Sequence, residues 1–277
     1  MVSRMPSPDD TPDLAVRWAG PADPRTPTLV LLHGLGDSGD CWPDAVRRWS
    51  PRHRVLGVDL LGHGRSPRFT PAQLASPDPM EAMYAAAEAT VSRAASAHGG
   101  PVVVVGHSMG GGIAGALAAR RPDLVAAAVL EDPAWRDPAL RVQPRGIVLE
   151  RIAECRAFAD DPQAQLAQGR ADNPTWPEVE LVPWVESKAH VDLDFLDLGI
   201  ATLLEPWDAL VAAIRVPTLV LLAERGGPVT PDVRSRAALL ANPHVDIQVV
   251  QGAGHCVRRD RPDEFHAVVD PWVEARA

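Results

Sequence analysis

With 277 residues, 46% of them hydrophobic and 23% charged, the chain is long enough for one large α/β domain with an insertion and too short for two typical domains. A net charge of −9 argues against a nucleic-acid-binding surface, because an acidic excess repels phosphate. No apolar run approaches the roughly 18 residues of a membrane span, so no membrane partner is expected. The opening MVSRMPSPDD is broken by Pro and Asp before an apolar signal-peptide stretch could form. Three widely spaced cysteines, Cys41, Cys155 and Cys256, fit free thiols in a reducing compartment, and a cytoplasmic location is the expectation.

In chain order, apolar β-type runs alternate with helical stretches. Thr28–His33 and Arg54–Asp59 read as strands, and Ala-rich Pro79–His98 as a helix that stops at Gly99-Gly100. Pro101–His107 follows as a strand; its core Val102–Val105 is apolar without alternation, as in a strand buried on both faces. Ile113–Arg121 reads as a helix ending before Pro122, and Val125–Glu131 as the next strand. Alternation then fails between about Pro133 and Pro206, where Ile147–Ala159, Glu178–Ala189 and Val191–Leu204 look helical. The closing part returns to strand (Pro217–Ala223), helix (Val233–Ala241), strand (Val245–Val250) and helix (Pro262–Ala275). This pattern predicts a mostly parallel sheet flanked by helices. Residues 1–133 and 208–277 form the core domain in this reading. Residues 134–207 form a helical cap, inserted after the strand ending near Asp132 and lying over the ligand crevice at the strands' C-terminal ends.

The central motif is Gly106-His107-Ser108-Met109-Gly110, a G-x-S-x-G between a strand and a helix. A serine there sits on a tight, strained turn with its oxygen exposed above the sheet, and the helix aims its N-terminal amides at developing negative charge. With it, the chain resembles the α/β-hydrolase superfamily in four segments: TLVLLHG, Asp59-Leu60-Leu61-Gly62-His63-Gly64-Arg65-Ser66, GHSMGG and Gly252-Ala253-Gly254-His255. The resemblance implies Ser108 as nucleophile, His255 as base, and the backbone N–H groups of Leu35 and Met109 as the oxyanion hole. It leaves the acid open. Many relatives place it after the penultimate strand, where Ala223-Glu224-Arg225-Gly226-Gly227-Pro228 offers only Glu224 and Gly227 stands at the expected position. The other placement, one strand earlier, offers Glu131 and Asp132. Asp132 is the first choice, with Glu131 and Glu224 as alternatives.

A competing motif is Gly34-Leu35-Gly36-Asp37-Ser38-Gly39, a G-x-G-x-x-G after a strand, with Asp59 lying 20 residues beyond Gly39. That matches a dinucleotide fingerprint but leaves GHSMGG and GAGH unexplained. No cofactor and no metal site is expected, since no His, Cys, Asp or Glu set has ligand spacing. Trp135, Trp176 and Trp184 fall in the cap region and are candidate substrate-binding residues, although tryptophans there could equally fasten cap to core. The expected function is hydrolysis of a carboxylic ester or lactone of an apolar or aromatic small molecule through an acyl-enzyme. C–C bond hydrolysis, another acyl transfer, or a small-molecule receptor on the same scaffold remain alternatives. The oligomeric state cannot be read from the sequence.

Overall fold

A computed structural model describes residues 11–277; the opening MVSRMPSPDD lies outside the described residues. Seven strands form one sheet: β1 (Val16–Ala19), β2 (Thr28–Leu32), β3 (Arg54–Val58), β4 (Val102–His107), β5 (Val125–Glu131), β6 (Thr218–Ala223) and β7 (Val245–Val250). Their spatial order is β1-β3-β2-β4-β5-β6-β7, with β1 antiparallel to β3 and all other pairs parallel. β2, β4 and β6 are buried at every position, which is why their sequences run apolar without alternation.

Period-two geometry still sorts their side chains. Val30, Leu32, Val104, Leu130, Val220 and Leu222 enter one core layer, under α3 (Pro79–His98) and α4 (Met109–Arg120). Leu29, Leu31, Val103, Val105, Leu219 and Leu221 enter the other, under α1 (Pro43–Trp49) and α12 (Pro262–Glu274). Short α2 (Pro71–Leu74) precedes α3, α10 (Pro231–Ala238) joins β6 to β7, and α11 (Val257–Asp260) leads into α12.

Between β5 and β6 the chain makes a 3-10 turn (Pro138–Leu140) and four helices: α5 (Arg145–Asp160), α6 (Pro162–Asp172), α7 (Glu178–Lys188) and α8 (Leu193–Asp197). α9 (Trp207–Ala213) then packs against α4 and returns the chain to the core. Polar contacts fasten this insert to the core at several points; among them the Asp192 side chain accepts from Phe69 N–H at 2.9 Å, and Glu180 accepts from Asp44 N–H at 3.3 Å. Among the described residues no helix is long and apolar enough to cross a membrane.

Several expected elements differ in extent. The helix expected over Val191–Leu204 covers only Leu193–Asp197, because the chain turns at Gly199 with φ +68°. The helix expected from Ile113 begins at Met109: three successive glycines are poor helix formers, but close packing leaves no room for a side chain at Gly110 and little at Gly111. β1 was missed because it is a four-residue, half-exposed edge strand, and α1 and α6 gave no clear apolar periodicity.

Candidate active site

Three strand ends supply the site. Ser108 follows β4 directly, at φ 52°, ψ −114°, a conformation a non-glycine residue holds only when its surroundings enforce it. The enforcement is visible: Ser108 N–H donates to the Glu131 carbonyl at 2.9 Å, and the Ser108 carbonyl accepts from Gly112 at 2.9 Å and Ala134 at 2.8 Å. Gly106 and Gly110 allow the backbones to approach, since a Cβ on Gly110 would collide with the Leu32 carbonyl oxygen and one on Gly106 with that of Gly110. Asp132 follows β5 and, among the described residues, is the other non-glycine residue with positive φ, at 38°. His255 lies on the loop after β7.

These residues form one hydrogen-bonded chain. His255 Nε2 lies 2.9 Å from Ser108 Oγ, and His255 Nδ1 lies 2.6 Å from Asp132 Oδ2. Asp132 is fully buried, and its other oxygen accepts from Ala223 N–H at 3.1 Å on the neighbouring strand end. The competing carboxylates are occupied elsewhere. Glu131 is buried and accepts from the Arg258 backbone N–H and guanidinium, both at 2.7 Å; burial pushes its carboxyl up against the pull of Arg258. Exposed Glu224 accepts from Gly252 N–H at 2.9 Å. The empty position in the later loop also has a steric meaning. Gly227 has φ +75°, and a Cβ there would run into Asp132 Oδ2 and stand 3.2 Å from His255 Nδ1. The Asp132 carboxylate thus fills the space that a side chain from the later loop would need.

The Leu35 and Met109 N–H groups meet no acceptor among the described residues; Leu35 lines the cavity above Ser108, and Met109 opens α4, whose first-turn amides have no intrahelical partner. His107, inside the G-x-S-x-G motif, lines the same cavity. Its Nε2–H donates to the His255 carbonyl at 3.1 Å, since that carbonyl can only accept, so its Nδ1 carries a lone pair. Burial, His255 and Arg258 hold its pKa well below the ordinary histidine value, and it stays neutral. His33 is fixed likewise: it accepts from Leu60 N–H at 2.9 Å through Nε2 and donates to the Gly34 carbonyl at 2.8 Å, joining the loops after β2 and β3. Burial and neighbouring His33 take His63 down to about 3.

Behind the site, Arg259 donates to Asp37 at 3.0 Å and Glu180 at 3.1 Å, while Lys188 donates to Asp37 at 2.7 Å. Burial raises the Asp37 carboxyl, but Arg259 and Lys188 outweigh it and hold the group well below its usual range. The loop's dinucleotide-like glycines lie beside this network. Asp59, the fingerprint's acid, is itself filled from within the protein: it accepts from Arg17 at 2.8 and 3.0 Å, from Gly39 N–H at 2.7 Å and from Arg65 N–H at 2.9 Å. It braces two loops and has no free face for a ribose.

The cavity beside Ser108 measures about 440 Å³. Trp176, Trp184 and Phe158 line one side, with Trp184 meeting Trp176 edge-on at 5.4 Å and Phe158 at 5.2 Å. Trp176 also donates to Asp260 at 2.7 Å, and Asp260 accepts from Gly254 N–H at 2.7 Å, which ties the helical insert to the residue before His255. Trp135 is a correction. It is buried and stacked on Trp207 at 4.9 Å and 18°, beside a separate small cavity, and does not line the cavity of Ser108. Ala134 and Arg136 on either side of it do line that cavity, while the Trp135 ring is taken up by the stack on Trp207.

A model of the alpha/beta hydrolase family matches residues 29–268. The chain belongs to this family. It is 31% identical over 272 residues to the lipase LipV of Mycobacterium tuberculosis, covering 93% of this chain and 96% of the relative. It is 30% identical over 270 residues to the sn-1-specific diacylglycerol lipase ABHD11 of Mus musculus, covering 91% and 82%. Among solved structures, the enol-lactonase of Burkholderia xenovorans superposes with a TM-score of 0.68 at 22% identity over 94% of this chain and 96% of its own. At that identity the likeness concerns the fold. As a family, these homologues are hydrolases.

Proposed function

We propose that the protein is a serine hydrolase that cleaves a carboxylic ester or lactone through an acyl-enzyme on Ser108. The observation that carries this reading is the Ser108–His255–Asp132 chain, with contacts of 2.9 and 2.6 Å. His255 Nε2 takes the Ser108 proton as Oγ attacks the carbonyl, and passes it to the leaving alkoxide. Asp132 holds His255 in the tautomer with Nδ1–H and stabilises the imidazolium. The Leu35 and Met109 amides stabilise the oxyanion, at about 3–4 kcal/mol per donor in sites of this kind. Water then repeats the sequence on the acyl-enzyme and releases the acid. Residues 134–207 act as the cap over this cavity, and the faces of Trp176 and Trp184 favour an apolar or aromatic substrate body.

The test is active-site labelling with a fluorophosphonate, mapping of the adduct, and turnover of p-nitrophenyl esters from acetate to octanoate. The expected result is an adduct on Ser108 and turnover that Ser108→Ala lowers by about a millionfold. A folded protein that neither labels nor turns over any of these esters would contradict the reading.

A further inference from the structure

The cavity beside Ser108 holds positive charge that its own walls leave unmatched. Arg136, on the loop after β5, and Arg151, on α5, both line it. Among the described residues Arg136 forms no ion pair, and the hydrogen bond Arg151 makes is to the neutral Gln143 carboxamide at 3.1 Å. Three nearby acids are committed elsewhere. Asp137 caps the 3-10 turn through Ala139 N–H at 3.0 Å and faces Arg236 at 3.7 Å, Asp197 pairs with Arg145 at 2.7 Å, and Asp37 is held between Lys188 and Arg259. Glu154, one helical turn from Arg151, also lines the cavity but is exposed and pairs with neither arginine.

Two guanidinium groups at one partly enclosed cavity repel each other unless an anion lies between them. Burial, and after it the charge of Arg151, pull the Arg136 guanidinium below the ordinary arginine value. An overall charge of −9 means the cavity runs against the sign of the molecule. Planar, forked donors in such a place match a carboxylate better than any apolar group.

We propose that Arg136 and Arg151 form an anion subsite, so that the ester or lactone taken at Ser108 carries a free carboxylate beside its apolar body. This rests on the hydrolase reading above and narrows it. The chemistry is ordinary hydrolysis: water adds across the acyl–oxygen bond, and the bound carboxylate is unchanged while it fixes which bond meets Oγ.

Two substrate pairs test the subsite, each differing in one charge. Mono-4-nitrophenyl glutarate against 4-nitrophenyl pentanoate places the anion on the acyl side; 4-acetoxybenzoate against its methyl ester places it on the leaving side. The readout is the ratio of kcat/KM within each pair and each protein, which cancels any general loss of activity. At least one pair is expected to favour the anion by about tenfold or more, and Arg136→Met and Arg151→Met each to reduce that ratio by about tenfold. Arg136→Gln and Arg151→Gln replace any methionine variant that fails to fold. Calorimetric binding of 3-phenylpropionate to Ser108→Ala protein, with and without the arginine substitutions, gives a readout independent of turnover. Arginine-dependent binding in a protein that hydrolyses no ester would leave the subsite standing and sink the hydrolase reading. Neutral esters preferred in both pairs, a ratio that survives both substitutions, or 3-phenylpropionate binding that ignores the arginines would overturn the subsite.

Discussion

The loops at the C-terminal edge of the sheet and the helical insert above them are built in contrasting ways. In the loops, polar groups distant in sequence satisfy one another at depth. Ser108 N–H reaches the Glu131 carbonyl, Arg258 reaches Glu131, and His107 reaches the His255 carbonyl across 148 positions. The insert buries far less: α5 buries Val148, Ile152 and Cys155, α6 only Gly169, and Ile147, Leu149, Val179 and Val182 stay exposed. Reacting atoms need placement within about half an ångström, which strand ends in a close-packed sheet provide. Substrate selection tolerates more, so it can sit on a separately anchored layer. On this view substitutions near strand ends alter the chemical step, and those in the insert alter which substrate is taken.

The largest expected break comes at Asp132, the proposed acid. Asp132→Asn should lower kcat by about 10⁴ with the folded state intact, because the amide stabilises the wrong imidazole tautomer. Glu131→Gln, one residue away, should instead act on stability: it leaves the buried Arg258 guanidinium without its carboxylate, a loss of about 3–5 kcal/mol. Exposed Glu224→Gln should change neither kcat nor melting temperature appreciably. Steady-state kinetics and thermal unfolding on the three variants separate these outcomes. A collapse of kcat in Glu224→Gln, with Asp132→Asn active, would move the acid to the later loop.

Much of the core was legible. Unbroken apolar runs announced the central strands, and Ser108 and His255 could be named because each stands at a fixed place relative to a strand. Asp132 could be ranked first from sequence but Glu131 and Glu224 stayed open, because the choice turns on which strand ends lie side by side. β5 pairs with β6 in the sheet, and Ala223 N–H then aims at Asp132. The absence of a side chain at Gly227 was visible as a departure from pattern, but its meaning, space for the Asp132 carboxylate, exists only in three dimensions. Arg136 and Arg151 gave no signal at all. What distinguishes them is the partners they lack, and an unpaired charge looks the same in sequence as a paired one.

A smaller effect is expected at Gly227→Ala, which probes that packing directly. The residue must hold φ +75°, and the new methyl group must displace the Asp132 carboxylate or the loop. The backbone strain should cost about 1–2 kcal/mol of stability. Displacing the acid by about an ångström should lower kcat on the order of a hundredfold. If kcat is unchanged while the melting temperature falls, the later loop yields rather than the acid, and Gly227 matters for folding alone.

The smallest and sharpest division lies between two tryptophans. Trp135 is stacked on Trp207 inside the core layer, so Trp135→Ala should remove about 3–5 kcal/mol of stability while KM changes little. Trp176 is only half-buried and faces the cavity, so Trp176→Ala should cost less stability and raise KM for aromatic esters more than for acetate. Its Asp260 bond complicates the second case, because losing it also loosens the brace on Gly254, one residue before His255. Trp176→Phe isolates the two contributions: the aromatic face remains and the indole N–H is lost. If Trp176→Phe keeps the low KM but lowers kcat, the tryptophan both presents a face to substrate and steadies the histidine loop. If it restores both parameters, the face alone accounts for the residue. The contrast between framework and insert would fail if Trp135→Ala shifted KM and Trp176→Ala shifted only stability.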